Sequence, residues 1–330
     1  MDFALVRYLP TDTNFQFIKA RFVAFAFSVL LMLASGAAFY GLNLNFGIDF
    51  RGGTLLEIGT DGPADLGAIR TELGSLGLGD VQVQEFGAVD AVLIRVETLT
   101  AEEVNAISEQ AIEDDEAAQQ AVNRIIQGAL NERFENIDYR RIEVVGPQVS
   151  GELVVAGVTA VVVALLLMLV YIWLRFEWQY SVGAVLALTH DVIATIGFFA
   201  ITQLEFNLST IAAILTIVGY SMNDTVVVYD RIREKFRKYK SLETPEVLNM
   251  AINKTLSRTI LTSGTTLVAI VAMAIIGGPA LQGFALALIW GVVIGTYSSI
   301  FVAAPLLTLT GVKRESGEER QGEVEGNNGP

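Results

Sequence analysis

The chain has no cysteine and a single histidine, His190. The first absence excludes disulfides and thiolate metal centres. The second, with no HExxH string anywhere, leaves no metalloprotease reading. No GxxxxGK[ST] loop is present, so the chain has no obvious means of hydrolysing ATP. Basic residues are scarce: 22 Lys and Arg stand against 36 Asp and Glu, for a formal net charge of −14. That balance argues against nucleic acid as a partner. Charge of either sign is sparse, at 18% of residues, while hydrophobic residues make up 52% and the mean hydropathy is +0.49. Such a chain belongs to the membrane class.

More than half of the acidic residues fall between Asp49 and Glu143, in one polar segment. Around it lie apolar runs long enough to cross ~30 Å of hydrocarbon at ~1.5 Å per residue. Six spans are expected: Phe22–Leu42, Val154–Leu174, Val182–Ile201, Leu208–Tyr229, Thr259–Ile276 and Phe284–Leu309. The first carries small residues, Ala34 to Ala38, that a signal peptidase accepts. Its apolar run exceeds the ~7–15 residues of a usual signal h-region, so it reads as a retained anchor. Gly291 and Gly295 form a GxxxG in the last span, which permits close helix contact.

The polar segment, 43–150, reads as strand Thr54–Ile58, helix Ala64–Leu76, strand Val81–Phe86, strand Ala91–Glu97, a helical stretch Ala101–Phe134 and strand Arg141–Val145. The order βαββαβ suggests a ferredoxin-like domain; the competing arrangement is a loose helical hairpin beside one sheet. Glu113 to Glu116 read as a solvated helix face or turn. The expected fold is an α-helical polytopic membrane protein with six transmembrane helices and one small ferredoxin-like α+β domain. Its parts are a terminus at 1–21, the first helix at 22–42, the domain at 43–150, a five-helix bundle at 151–310 and a disordered acidic tail at 311–330.

Lys and Arg orient the spans. Arg231, Arg233, Lys235, Arg237, Lys238, Lys240, Lys254 and Arg258 crowd the segment between the fourth and fifth spans. Arg7, Lys19 and Arg21 precede the first span, Arg175 follows the second, and Lys313 and Arg314 follow the sixth. With six spans all of these lie on one side, the cytoplasmic one, together with both termini. The acidic domain lies on the other.

Asp224 sits near the end of the fourth span, where a carboxylate is costly and marks a functional site by default. Thr216, Tyr220, Asn223 and Asp224 fall near one helical face. Arg258, Thr262, Thr265 and Thr266 recur at helical spacing on the fifth span, so an Asp224–Arg258 charge pair is expected. The competing reading makes Arg258 a snorkelling anchor. Burial disfavours a charged carboxylate and a neighbouring guanidinium favours it, which makes such a group switchable. In the third span, His190 and Asp191 stand near mid-membrane. They read either as a proton relay or as a packed, hydrogen-bonded structural pair.

Seven strings then carry a family resemblance: GIDFRGGT at 47–54, RIEVVGPQVSGEL at 141–153, RFEW at 175–178, ALTHDV at 187–192, VGYSMNDTVVVYDRIRE at 218–234, SRTILTSGTTL at 257–267 and GGPALQGF at 277–284. In this order they resemble the SecF subunits of the bacterial SecDF protein-export factor, of the resistance-nodulation-division superfamily. The resemblance does not cover the tail, and it covers 59–140 mainly in layout. It implies a non-enzymatic subunit in the bacterial inner membrane, with a periplasmic domain and both termini cytoplasmic. It implies SecD, the SecYEG channel and YajC as partners, unfolded preprotein in transit, and protons as the coupling ion with no other cofactor. The family's essential Asp falls on Asp224 and its essential Arg on Arg258, with Asp191 and Asn223 as weaker relay candidates. A further carboxylate of the relay would come from SecD. Asp49, Arg51, Gly52 and Gly53 read as a hinge or docking joint, or as the structural start of a strand. The alternative functions are a small-molecule proton antiporter of the same superfamily and a non-conducting scaffold for the translocase.

Overall fold

The computed structural model describes residues 13–108 and 112–312. The tail expected to be disordered lies outside them from residue 313 on, as do Arg7, Lys313 and Arg314.

Helix α1 (Arg21–Leu42) leads through the short α2 (Ile48–Arg51) into an α+β domain. The domain runs β1 (Gly53–Gly59), α3 (Leu66–Gly74), β2 (Val81–Phe86), β3 (Ala88–Val96), α4 (Ala101–Ile107), α5 (Asp115–Arg133) and β4 (Asp138–Val145). All pairings are antiparallel and the strand order is β2-β3-β1-β4. That is the split βαβ arrangement expected from the sequence. The helical stretch expected over 101–134 is two helices. Thr100 and Glu103 close a capping box on α4, and the Asp114 side chain accepts from Ala117 N to start α5. Side-chain caps of this kind set a boundary that apolar periodicity does not reveal. They also explain the acidic run: Asp114 caps one helix, and Asp115 accepts from Ala101 N at the start of the other.

The sheet buries Leu56, Ile58, Val92 and Ile94 under Ile69, Val122, Ile126 and Leu130 of the helices. Each such side chain contributes about 1.5–3 kcal/mol by leaving water. The alternate strand residues Leu55 and Leu93 pack on Ile48 of α2 instead. That face of the sheet looks toward the helical bundle.

Five further helices follow: α6 (Pro147–Arg175), α7 (Trp178–Thr202), α8 (Leu208–Lys238), α9 (Thr244–Ile276) and α10 (Gly278–Ser298). A π-helical turn (Ser299–Ala303) joins α10 to α11 (Ala304–Thr310), and the three form one span. Among the described residues, six helical segments are thus long and apolar enough to cross a membrane. The span of α7 and the span of α10 with α11 are the most buried, at 61%, against 6% for α6 and 11% for α9. The last two face outward. A methyl group at Gly291 would overlap Ile217, so the GxxxG does bring α10 close against α8.

The basic segment between the fourth and fifth spans is not a loop. Helix α8 continues to Lys238 and α9 begins at Thr244. Ile232, Phe236, Val247, Leu248, Ala251 and Ile252 are buried at helical spacing, so an apolar stripe holds these extensions together while the cations point outward.

Candidate functional site: two buried carboxylates

The α+β domain is fastened to the bundle at one end of α8. Asn207 caps that helix in a reciprocal box with Thr210. Asp49 reaches the same terminus, where its Oδ2 accepts from Leu208 N at 2.8 Å. A carboxylate at a helix N-terminus also meets the positive end of the helix dipole. Phe206 donates to Asn45 O and Gly47 to Phe206 O, which zips the α7–α8 connection to the chain entering α2. Arg95 on β3 adds an ion pair to Glu205 at 2.9 Å. Gly52 and Gly53 adopt φ of +75° and +113°, and a Cβ on Gly53 would strike Val96 O. Only glycine turns helix into strand there at so little cost. Of the four motif residues, Asp49 docks and the glycines shape the turn. The Arg51 side chain is exposed, and its carbonyl accepts from Thr98 Oγ1. The Arg95–Glu205 pair carries no sequence signal, because a lone arginine in a strand reads as solvated.

Asp224 lies 16 residues into α8, about 24 Å from that docked end at helical rise. It is half-buried, and Thr259 Oγ1 of α9 donates to its Oδ1 at 2.7 Å while Ser299 Oγ donates to its Oδ2. Arg258 is exposed, and among the described residues no ion pair joins it to Asp224; its charge acts at longer range. The expected contact falls to its neighbour because successive helix positions point about 100° apart. Thr259 faces the bundle and Arg258 therefore faces out. Asn223 is exposed as well and lies off the carboxylate.

Asp191 on α7 has no solvent exposure. Its Oδ2 accepts from Ser221 Oγ at 2.6 Å and from Ser298 Oγ at 2.7 Å, and its Oδ1 lies 3.0 Å from His190 Nδ1. His190 is 2% exposed, and its Nε2 has no hydrogen-bond partner among the described residues.

Hydroxyls surround both carboxylates. A hydroxyl donates to a carboxylate and can turn to accept from the neutral acid, so each site can hold its proton or release it without losing its neighbours.

The predicted polar stripes divide. Tyr220 donates to Ser263 across the α8–α9 contact. Thr216, Gly219 and Asn223 on α8, with Arg258, Thr262 and Thr265 on α9, are exposed beside it. On antiparallel helices the same angular offset from the contact row brings both sets to one side. The result is a polar seam on the outer surface of the bundle.

Family models match residues 125–313, as protein export membrane protein SecD/SecF, C-terminal, and residues 41–64, as the SecD/SecF GG motif. The chain is 43% identical to a protein translocase subunit SecF of Rickettsia rickettsii over 92% of its length and 94% of the relative's. It is 42% identical to one of Vibrio alginolyticus over 98% of both.

The chain belongs to the SecD/SecF family of protein-export membrane proteins.

Among solved structures it resembles SecDF of Thermus thermophilus, a translocon-associated membrane protein, with TM-score 0.78 and 32% identity over 92% of the chain. A SecDF structure described as super-membrane-facing gives a TM-score of 0.65 at 33% identity. The chain spans 39% and 41% of those longer proteins. The second family match covers Asp49, Gly52 and Gly53 at the docked end of α8, and the first covers both carboxylates.

Proposed function

We propose that the chain is the SecF-type subunit of an accessory complex that uses the proton gradient to promote preprotein passage through the Sec channel. It works in the bacterial inner membrane, with the α+β domain in the periplasm and both termini in the cytoplasm. SecD is its direct partner, and SecYEG and YajC complete the assembly around unfolded preprotein. No cofactor other than the proton is required. Asp224 holds the coupling proton and Arg258 answers its charge, with Asp191 and Asn223 in support.

The observation that carries this reading is the outer polar seam beside a half-buried carboxylate. An arginine and an asparagine exposed at membrane depth are costly against hydrocarbon. A second set of helices that covers them removes the cost, and a carboxylate on those helices would meet Arg258. The role therefore divides between two proteins.

The test is Asp224→Asn in inverted membrane vesicles, with complex assembly confirmed first. Translocation of a preprotein is followed with and without a proton gradient. Stimulation by the gradient should disappear in the variant. Stimulation equal to wild type would sink the proton-coupled reading and leave a scaffold.

A further inference from the structure

Four consecutive polar residues, Thr296, Tyr297, Ser298 and Ser299, interrupt the apolar sixth span where α10 gives way to the π-helical turn. Neighbours in a helix point in different directions, and these four reach four different helices. Thr296 shares a hydrogen bond of 2.7 Å with Ser263 on α9. Tyr297 donates to Ala24 O on α1 and meets Ser28 Oγ at 3.0 Å. Ser298 donates to Asp191 on α7, and Ser299 to Asp224 on α8. Adjacent residues of one backbone segment thus hold both carboxylates.

The backbone at this point is unusual. A π-helical turn contains one more residue than an α-helical turn and is found preferentially at functional sites. The surplus residue can migrate along the helix, which makes the segment a natural place to absorb a small shift. The unpartnered Nε2 of His190 adds an independent observation. Among the described residues this buried nitrogen meets no hydrogen-bond partner, although the other ring nitrogen is engaged by Asp191. The nitrogen leaves the His190–Asp191 pair with capacity for one more proton.

We infer that His190 and Asp191 form a second proton-holding site in this chain, and that Ser298 and Ser299 couple it to Asp224. The inference rests on the reading of Asp224 as the coupling carboxylate. A proton on Asp224 turns the Ser299 hydroxyl from donor toward acceptor. The π-helical turn takes up the change, and Ser298 alters its bond to Asp191. Ser298 and Ser299 are positioning residues.

Few other groups can contribute. Around Asp191 the facing residues are His190 on its own helix, Ser221 on α8 and Ser298 on α10. The Tyr297 ring lies 6.1 Å from the imidazole, and Ser28 of α1 beyond it is uncharged. Around Asp224 are Ser299, the uncharged Thr259 and, at longer range, Arg258.

The experiment is infrared titration of the full-length chain in the complex with which it copurifies. The protonated Asp191 carboxyl band is identified by its loss in Asp191→Asn. In wild type the band should titrate in steps shared with both His190 and Asp224, because interacting sites share their titration. Asp224→Asn should remove one step and move the remaining midpoint by about one pH unit. Ser299→Ala should remove the same step. Ser221→Ala, which touches Asp191 but not Asp224, should keep it. A curve indifferent to Asp224→Asn and Ser299→Ala overturns the inference, as does the absence of any Asp191 band. Should Asp224→Asn fail to assemble, the wild-type curve and Ser299→Ala decide alone. Coupled titration with gradient-independent translocation would refute the proposed function and leave this inference standing.

Discussion

Removing either member of the Arg95–Glu205 pair should undock the α+β domain from the bundle. The two groups meet at 2.9 Å, with side chains 11% and 29% exposed. Two unit charges at ~4 Å interact by about 4 kcal/mol at an effective dielectric of about 20. Exposed pairs retain only about 0.2–1 kcal/mol of this, whereas breaking a buried pair costs about 3–5 kcal/mol. Arg95 is nearly buried and Glu205 is partly wet, so the cost should lie between these limits, near 2 kcal/mol. That is about a 30-fold change in the ratio of docked to undocked molecules. Spin labels at Gln82→Cys on β2 and Gln282→Cys in the first turns of α10 would report the distance across the joint. Arg95→Gln and Glu205→Gln should each broaden the distribution toward longer separations. The double variant should be no worse than the poorer single one, because the two changes remove one shared interaction. Additive effects in the double variant, or unchanged distances in both singles, would refute the assignment of the joint to this pair.

Two further outcomes follow from packing and from charge. Gly291→Leu should lower the thermal stability of the detergent-solubilised protein by about 1–3 kcal/mol through overpacking against Ile217, and Ile217→Ala should restore part of the loss. At the far edge of the domain, the Arg140 side chain hydrogen-bonds Asp90 and holds its carboxyl below the ordinary value of 3.8. A depressed folded-state value means that this contribution is complete above pH 3.8 and fades as pH falls through the lower folded value. Hydrogen exchange at the β3 and β4 amides should therefore quicken with acid over that window in wild type, and less so in Asp90→Asn.

Strong periodicity made the fold legible. VQVQEF alternates, so its strand and its inner face could be read directly, and the order of elements left few topologies. The extent of α8 and α9 was harder to see. A density of Lys and Arg reads as a loop, and the stripe of Ile232, Phe236 and Val247 that makes it helical is too sparse to stand out. Asp224 was visible because a carboxylate in an apolar run is expensive. Its partners were not: a serine or threonine in such a run can bond its own helix, as Thr265 does to Leu261, so its presence says little about where it points. Arg258 illustrates the converse. Helical spacing placed it at the depth of Asp224, but a rotation of about 100° between neighbours decides which of Arg258 and Thr259 faces the carboxylate. The four residues Thr296 to Ser299 were readable in principle as a polar break in the last span. Arg95 and Glu205 were not, because contacts between distant strands and loops leave no local pattern.

Helix α8 joins two parts of the molecule that perform different work. Its first turn is gripped by Asp49 at the domain, and Asp224 stands about 24 Å along it. No proline interrupts the 31 residues from Leu208 to Lys238. An α-helix without a proline break or a bulge resists sharp bending and transmits axial displacement with little loss. A slide or twist of α8 at Asp224 would therefore arrive at the domain at nearly full amplitude, as in a pushrod.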